Sequence, residues 1–221
     1  MKRGMIRKIL ALFLGLLLIG IAGWYMIGRF HSDSHYVQRR NTAWNLILVN
    51  EWNPIPKEYE VNLLELSNGR QIDERIYPDL QEMFDAARAD GVYPVVGEGY
   101  RTEQEQQDMM DEKIQVYQNE GYSEKDAEAL AEEEVAVPGT SEHQLGLAVD
   151  INADTSQGSE NETVYSWLAD HAWEYGFILR YPANKTELTG ITYEPWHYRY
   201  VGKEAAETIH TQGICLEEYL S

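Results

Sequence analysis

Two short stretches of the chain, Ser141–Asp150 (SEHQLGLAVD) and Glu194–His197 (EPWH), together hold two histidines, an aspartate and, just before the second histidine, the glutamate Glu194. A catalytic zinc takes three protein ligands from His, Asp, Glu or Cys and keeps a fourth position for water. His143, Asp150 and His197 can supply those three, which implies one Zn2+ per chain. Zinc held by two neutral imidazoles and one carboxylate keeps a net positive charge and lowers the pKa of a bound water to about 7 in favourable cases. Glu194, three residues before His197, is the candidate base that takes the water's proton and passes it to a departing amine. Arg101, from another segment, is a candidate either to offset charge on a developing oxyanion or to grip a substrate carboxylate in bidentate fashion. The chemistry implied is metal-assisted hydrolysis. His31, His35, His171 and His210 have no such company and read as surface or helix-face residues.

Rigid elements must bring these groups together, and the pattern of apolar residues says which. Ala148–Ile151 reads as a buried strand carrying Asp150, and residues 196–201 read as a second strand carrying His197. His143 lies just before the first of them, with Gly146 between for a turn. Val92–Val96 reads as a strand leading through Gly97-Glu-Gly99 to Tyr100 and Arg101, and Thr102-Glu-Gln-Glu105 is a capping-box pattern that opens a helix to about Gln118. Residues 46–49 read as a strand, Pro78–Ala89 as a helix ended by Asp90-Gly91, and Ser123 as the start of another helix that closes before Pro138. Thr163–Tyr175 reads as a helix stopped by Gly176, Phe177–Leu179 as a strand, and Lys203–His210 as a last helix. Strands and helices interleave with connections too irregular for a doubly wound sheet. The expected fold is α+β, one compact catalytic domain whose small, largely antiparallel sheet is flanked by helices.

At these residues a family becomes recognisable. Ser-x-His-x-x-Gly-x-Ala-x-Asp followed by Glu-x-Trp-His closely resembles the VanY-type zinc carboxypeptidases, a family that includes the VanX-like dipeptidases. Gly99-Tyr100-Arg101-Thr102 with Gln106 is similar to the family's Tyr-Arg-Ser-x-x-x-Gln element, with Thr102 where Ser is usual, and residues 73–91 resemble its helix. The resemblance covers roughly Leu46 to Gly202. It implies that His143, Asp150 and His197 bind zinc, that Glu194 is the catalytic base, and that Arg101 stabilises the transition state or substrate carbonyl. It further implies that Ser141 and Gln106 hold the substrate's terminal carboxylate. Tyr100 joins them as a candidate for the substrate pocket, with Tyr193, Trp196 and Tyr198 near it, though packing in the sheet is the role expected of most of these rings. The family's substrates are peptidoglycan stem peptides that lose a C-terminal D-alanine. The expected activity is therefore a D,D-carboxypeptidase, with an L,D-carboxypeptidase trimming tetrapeptide stems as the alternative. A catalytically silent cell-wall-binding module is the reading from another class, disfavoured because no ligand is missing and Glu194 is present.

The whole chain bounds where this would occur. Lys2, Arg3, Arg7 and Lys8 precede an uncharged run from Ile9 to Ile27, and Arg29 follows. As a helix such a run spans roughly 28 Å, close to a hydrocarbon core of about 30 Å. The expectation is a cytoplasmic tip and transmembrane anchor over 1–30, a polar stalk over 31–42 and an extracytoplasmic catalytic domain over 43–221, with the N-terminus inside. A cleaved signal peptide is the rival reading, with Ile21-Ala22-Gly23 as a poor cleavage context. The residues after the first 30 carry 13 basic and 37 acidic side chains, a formal charge of −24, which argues against nucleic acid as a partner. Much of the excess lies in Glu103–Glu134, read as a solvated helical face. Cys215 is the single cysteine, so no intrachain disulfide forms, and without a histidine nearby in sequence it reads as structural or incidental.

Overall fold

The computed structural model describes residues 43–221. The expected anchor and stalk, with His31 and His35, lie outside the described residues; among the described residues no helix is long and apolar enough to cross a membrane. The domain is α+β. A short antiparallel hairpin, β1 (Leu63–Glu65) and β2 (Gln71–Asp73), precedes helix α1 (Tyr77–Ala89). A four-stranded antiparallel sheet follows, made of β3 (Pro94–Glu98), β4 (Ala148–Ala153), β5 (Phe177–Leu179) and β6 (His197–Tyr200) in the order β3-β4-β6-β5. Between β3 and β4 run α2 (Glu103–Asn119) and α3 (Glu124–Glu132); α4 (Asn161–His171), α5 (Thr186–Thr189), α6 (Lys203–Gln212) and α7 (Leu216–Leu220) complete the chain.

Period-2 alternation divides the sheet into a dry face and a chemical face. Val149, Ile151, Tyr198, Tyr200 and Phe177 point one way into the core, where Leu80, Met83 and Ala87 of α1 and Val164, Trp167 and Leu168 of α4 pack against them. The register pairs Asp150 with His197, Ala148 with Arg199 and Ile178 with Arg199, so these side chains share the opposite face. Both faces are covered, and every residue of β6 is buried.

Several expectations needed correction. Residues 46–49 form no strand: the carbonyls of Asn45 and Ile47 accept from Nη2 of Arg199 at 3.2 and 3.0 Å, so a buried guanidinium takes the place of a partner strand. Helix α4 ends four residues early, and residues 172–175 tighten into a 3-10 turn that stops at Gly176 (φ 86°). The β1–β2 hairpin and α7 were not anticipated. The capping box did form: Oγ1 of Thr102 accepts from the Glu105 amide at 3.2 Å, and the Glu105 carboxylate accepts from the Thr102 amide at 2.8 Å. Burial and the neighbouring Glu217 push the Cys215 thiol up to about 12, which leaves it an inert packing group before α7.

Candidate active site

Three local devices aim the proposed ligands. Residues 142–145 form a 3-10 turn that buries His143, and Gly146 caps it in the left-handed region (φ 70°), turning the chain into β4 and Asp150. A Cβ at Gly146 would also sit 2.9 Å from the Asp73 amide nitrogen, so glycine is required twice over. Glu194-Pro195-Trp196-His197 closes as a β-turn, the His197 amide donating to the Glu194 carbonyl at 3.2 Å, with Pro195 pre-setting the second position. The turn puts Glu194 and His197 on one side, and the sheet register sets His197 directly across from Asp150.

The donor atoms converge. Nε2 of His143 lies 3.4 Å and Nδ1 of His197 3.2 Å from Oδ1 of Asp150. One ligand atom from each of the three falls within 4.8 Å of the others, the grouping a single ion needs. Oδ1 of Asp150 is buried with no hydrogen-bond partner, an acceptor whose satisfaction requires a cation or proton between the rings. Nδ1 of His143 meets the Gly99 carbonyl at 2.7 Å, which fixes Nε2 as the metal-facing nitrogen. The donor set, two imidazoles and a carboxylate, fits zinc.

Glu194 is set apart electrostatically from Asp150. Its Oε2 is 3.5 Å from Nδ1 of His197. Burial pushes its carboxyl up to about 7 in the metal-free protein; the charge of Asp150 adds to the rise, while His197 and Arg101 oppose it. Burial also works against the charge of Asp150, yet His143 and His197 hold its carboxyl well below the usual range. For His197, burial disfavours the charged ring, but Asp150 and Glu142 outweigh it and raise the ring to about 9. One carboxylate is therefore poised as a proton acceptor and the other as a permanent anion.

Arg101, 7% exposed, enters the same cavity of about 220 Å3 with Gln106, Ser141, Tyr181, Ile191 and Trp196. Its amide donates to the His143 carbonyl at 3.2 Å, tying the arginine to the ligand turn. Gln106 is already engaged at both ends: Oε1 accepts from Nη1 of Arg101 at 2.7 Å and Nε2 donates to the Ala136 carbonyl at 2.6 Å. Its Oε1 therefore orients Arg101, and the side chain lines the cavity. Nε of Arg101 is buried and unpaired. Ser141 lines the cavity with no capping duty for its hydroxyl. Tyr100 is not among the residues that line the cavity, Tyr198 packs in the core as expected of a ring in the sheet, and the aromatic walls are Trp196 and Tyr181.

A family model described as VanY, D-alanyl-D-alanine carboxypeptidase, matches residues 69–203, a span that contains every one of these groups. The chain belongs to the VanY family. A D-alanyl-D-alanine carboxypeptidase of Enterococcus faecalis (strain ATCC 700802 / V583) is 62% identical over 178 residues, covering 80% of this chain and 66% of that protein, so the chain spans just under two thirds of that relative. A solved structure of VanYB in complex with D-alanine-D-alanine matches with a TM-score of 0.79 and 62% identity, over 80% of this chain and 98% of that one. The vancomycin-resistance D,D-pentapeptidase VanY from a VanB-type cassette, solved with Zn(II), matches with a TM-score of 0.79 and 62% identity, over 81% of this chain and 100% of that one.

Within this VanY-family domain, one group at the site was missed by sequence reasoning. Glu142, 1% exposed, lies between the two arginines 180 and 199 and against His197. A charged residue between Ser141 and His143 gives no sign of burial by its type, and its partners come from β6 and the end of β5. The signal available was the pair of arginines inside otherwise apolar strand segments, FILR and HYRY, where an unpaired charge would be too costly to bury.

Proposed function

We propose that this chain is a zinc-dependent D,D-carboxypeptidase that removes the C-terminal D-alanine from D-Ala-D-Ala-ending peptidoglycan stem peptides or their precursors. The observation that carries the reading is the convergence of His143, Asp150 and His197 within 4.8 Å in one cavity with Glu194 and Arg101. Membership of the VanY family, and relatives described with D-alanine-D-alanine and with Zn(II), support it.

His143 through Nε2, Asp150 through Oδ1 and His197 through Nδ1 would hold the zinc. Bound there, the ion supplies Lewis acidity toward the scissile carbonyl and makes water nucleophilic near neutral pH. Glu194 accepts the attacking water's proton and delivers it to the leaving D-alanine nitrogen, a role its place beside His197 in the cavity allows. Arg101, held by Gln106, places positive charge where the carbonyl oxygen becomes anionic. Ser141 offers a free hydroxyl to the substrate's terminal carboxylate. Tyr181 and Trp196 wall the cavity and keep bulk water away.

The basic tip and apolar run of residues 2–29 support a single-pass anchor with the catalytic domain outside the membrane, where such stems occur. Purified protein supplied with Zn2+ is to be incubated with synthetic pentapeptide and tetrapeptide stems, and D-alanine release measured. Release from the pentapeptide alone is the expected result. Release from the tetrapeptide alone would make the enzyme an L,D-carboxypeptidase, and release from neither would leave a wall-binding module.

A further inference from the structure

Behind His197, on the side away from the cavity, the fold buries a chain of four charges. Oε1 of Glu142 accepts from Nε of Arg180 and Nη1 of Arg199, each at 2.8 Å. The terminal nitrogens of Arg180 continue to Glu217 of α7 at 3.0 and 2.6 Å, and Nδ2 of Asn50 donates to Glu217 at 3.1 Å. Arg180 and Arg199 are fully buried and Glu217 is 7% exposed. Stability alone is a poor reason to build this, because buried ion pairs rarely outdo apolar packing of the same volume. The network leaves one oxygen over. Oε2 of Glu142 is buried with no hydrogen bond and faces Nε2 of His197 at 3.7 Å, itself buried with no other partner. The same ring presents Nδ1 to Asp150 and Glu194.

We propose that Glu142 is the positioning residue of His197. Its Oε2 takes the Nε2–H, which fixes the tautomer that leaves the Nδ1 lone pair for the metal. Arg180 and Arg199 clamp the carboxylate in place, and Glu217 anchors Arg180, so the last helix becomes part of the support of the site. The two histidines are thus held by different acceptors: His143 by the neutral Gly99 carbonyl, His197 by an anion. This inference rests on the zinc reading above.

Glu142→Gln keeps the size of the side chain and removes the charge. Zinc affinity of variant and wild type is to be measured by competition with a chromophoric chelator, alongside the melting temperature of each metal-free protein and the visible spectrum of each Co2+-substituted form. The variant is expected to bind zinc about 10- to 100-fold more weakly, with shifted Co2+ bands. A merely structural Glu142 would lower the melting temperature and leave affinity and spectrum of the folded protein unchanged, which overturns the proposal. Absence of zinc binding by the wild type overturns the zinc reading itself. Should Glu142→Gln fail to fold, wild-type protein with 15N-labelled histidine decides by NMR. A His197 ring with protonated, solvent-protected Nε2 and metal-bearing Nδ1 is expected; a metal-bearing Nε2, or an Nε2–H in fast exchange, refutes the assignment.

Discussion

Gly99 has a backbone duty that a single methyl group would expose. A Cβ built there falls 2.2 Å from the Gln71 carbonyl oxygen, main chain of β2, and 3.3 Å from Cγ2 of Ile72. That is about 1 Å short of ordinary contact, and neither neighbour is a flexible side-chain end. Gly99→Ala must therefore push strand β2 and the 97–101 segment apart. Both ends of the site hang on that segment: the Gly99 carbonyl orients His143, and two residues on, the Arg101 amide donates to the His143 carbonyl. Overpacking of this kind costs about 1–3 kcal/mol, which lowers the melting temperature by about 2–12 °C for a domain of this size. A displacement of about 1 Å in catalytic positioning costs on the order of 100-fold in rate. The assay is kcat/KM for D-alanine release together with thermal melting of the zinc-loaded protein. Gly97→Ala is the control, since its Cβ would crowd the end of the Asn152 side chain at 2.6 Å and meet the backbone, at the Asp150 carbonyl oxygen, at an ordinary 3.5 Å; it is expected to cost less than half as much stability and to spare activity. A Gly99→Ala enzyme with wild-type melting and turnover would refute the argument, as would equal damage from Gly97→Ala.

Three further outcomes are expected. Glu194→Gln keeps its zinc, by elemental analysis, and loses about 100- to 10,000-fold in kcat; near-normal turnover would remove it as the base. Chelation of the metal lowers thermal stability by about 4 kcal/mol when the holoprotein is compared at zinc a thousandfold above its Kd, and His143→Ala melts at the same temperature with or without zinc. Thr102→Ala removes the capping box at the start of α2 and costs about 0.5–2 kcal/mol in chemical denaturation, with kcat falling further than in Ser123→Ala, a cap with no cavity residue beside it, because Arg101 and Gln106 flank Thr102.

What was legible in the chain was local. The Glu194–His197 turn is written in four residues, Pro195 included, and the Thr102–Glu105 box depends on its own backbone and side chains. Residue types alone were enough to single out three candidate zinc donors and a candidate base, because few other chemistries use two histidines and two carboxylates in such company. Local pattern misled where a distant group intervened. Residues 46–49 look like a strand, yet the Arg199 guanidinium takes their carbonyls, and no rule of periodicity encodes a side chain from β6.

The sequence by itself determined which atoms could bind a metal and accept a proton, since those follow from side-chain chemistry and short-range turns. Only the tertiary structure decided which nitrogen of each histidine faces the metal, because the Gly99 carbonyl and Glu142 occupy the other side of each ring. It also made Gln106 the brace of Arg101 and put Tyr181 on the cavity wall. These outcomes rest on contacts between residues far apart in the chain, and strand register, burial and the pairing of buried charges set them together.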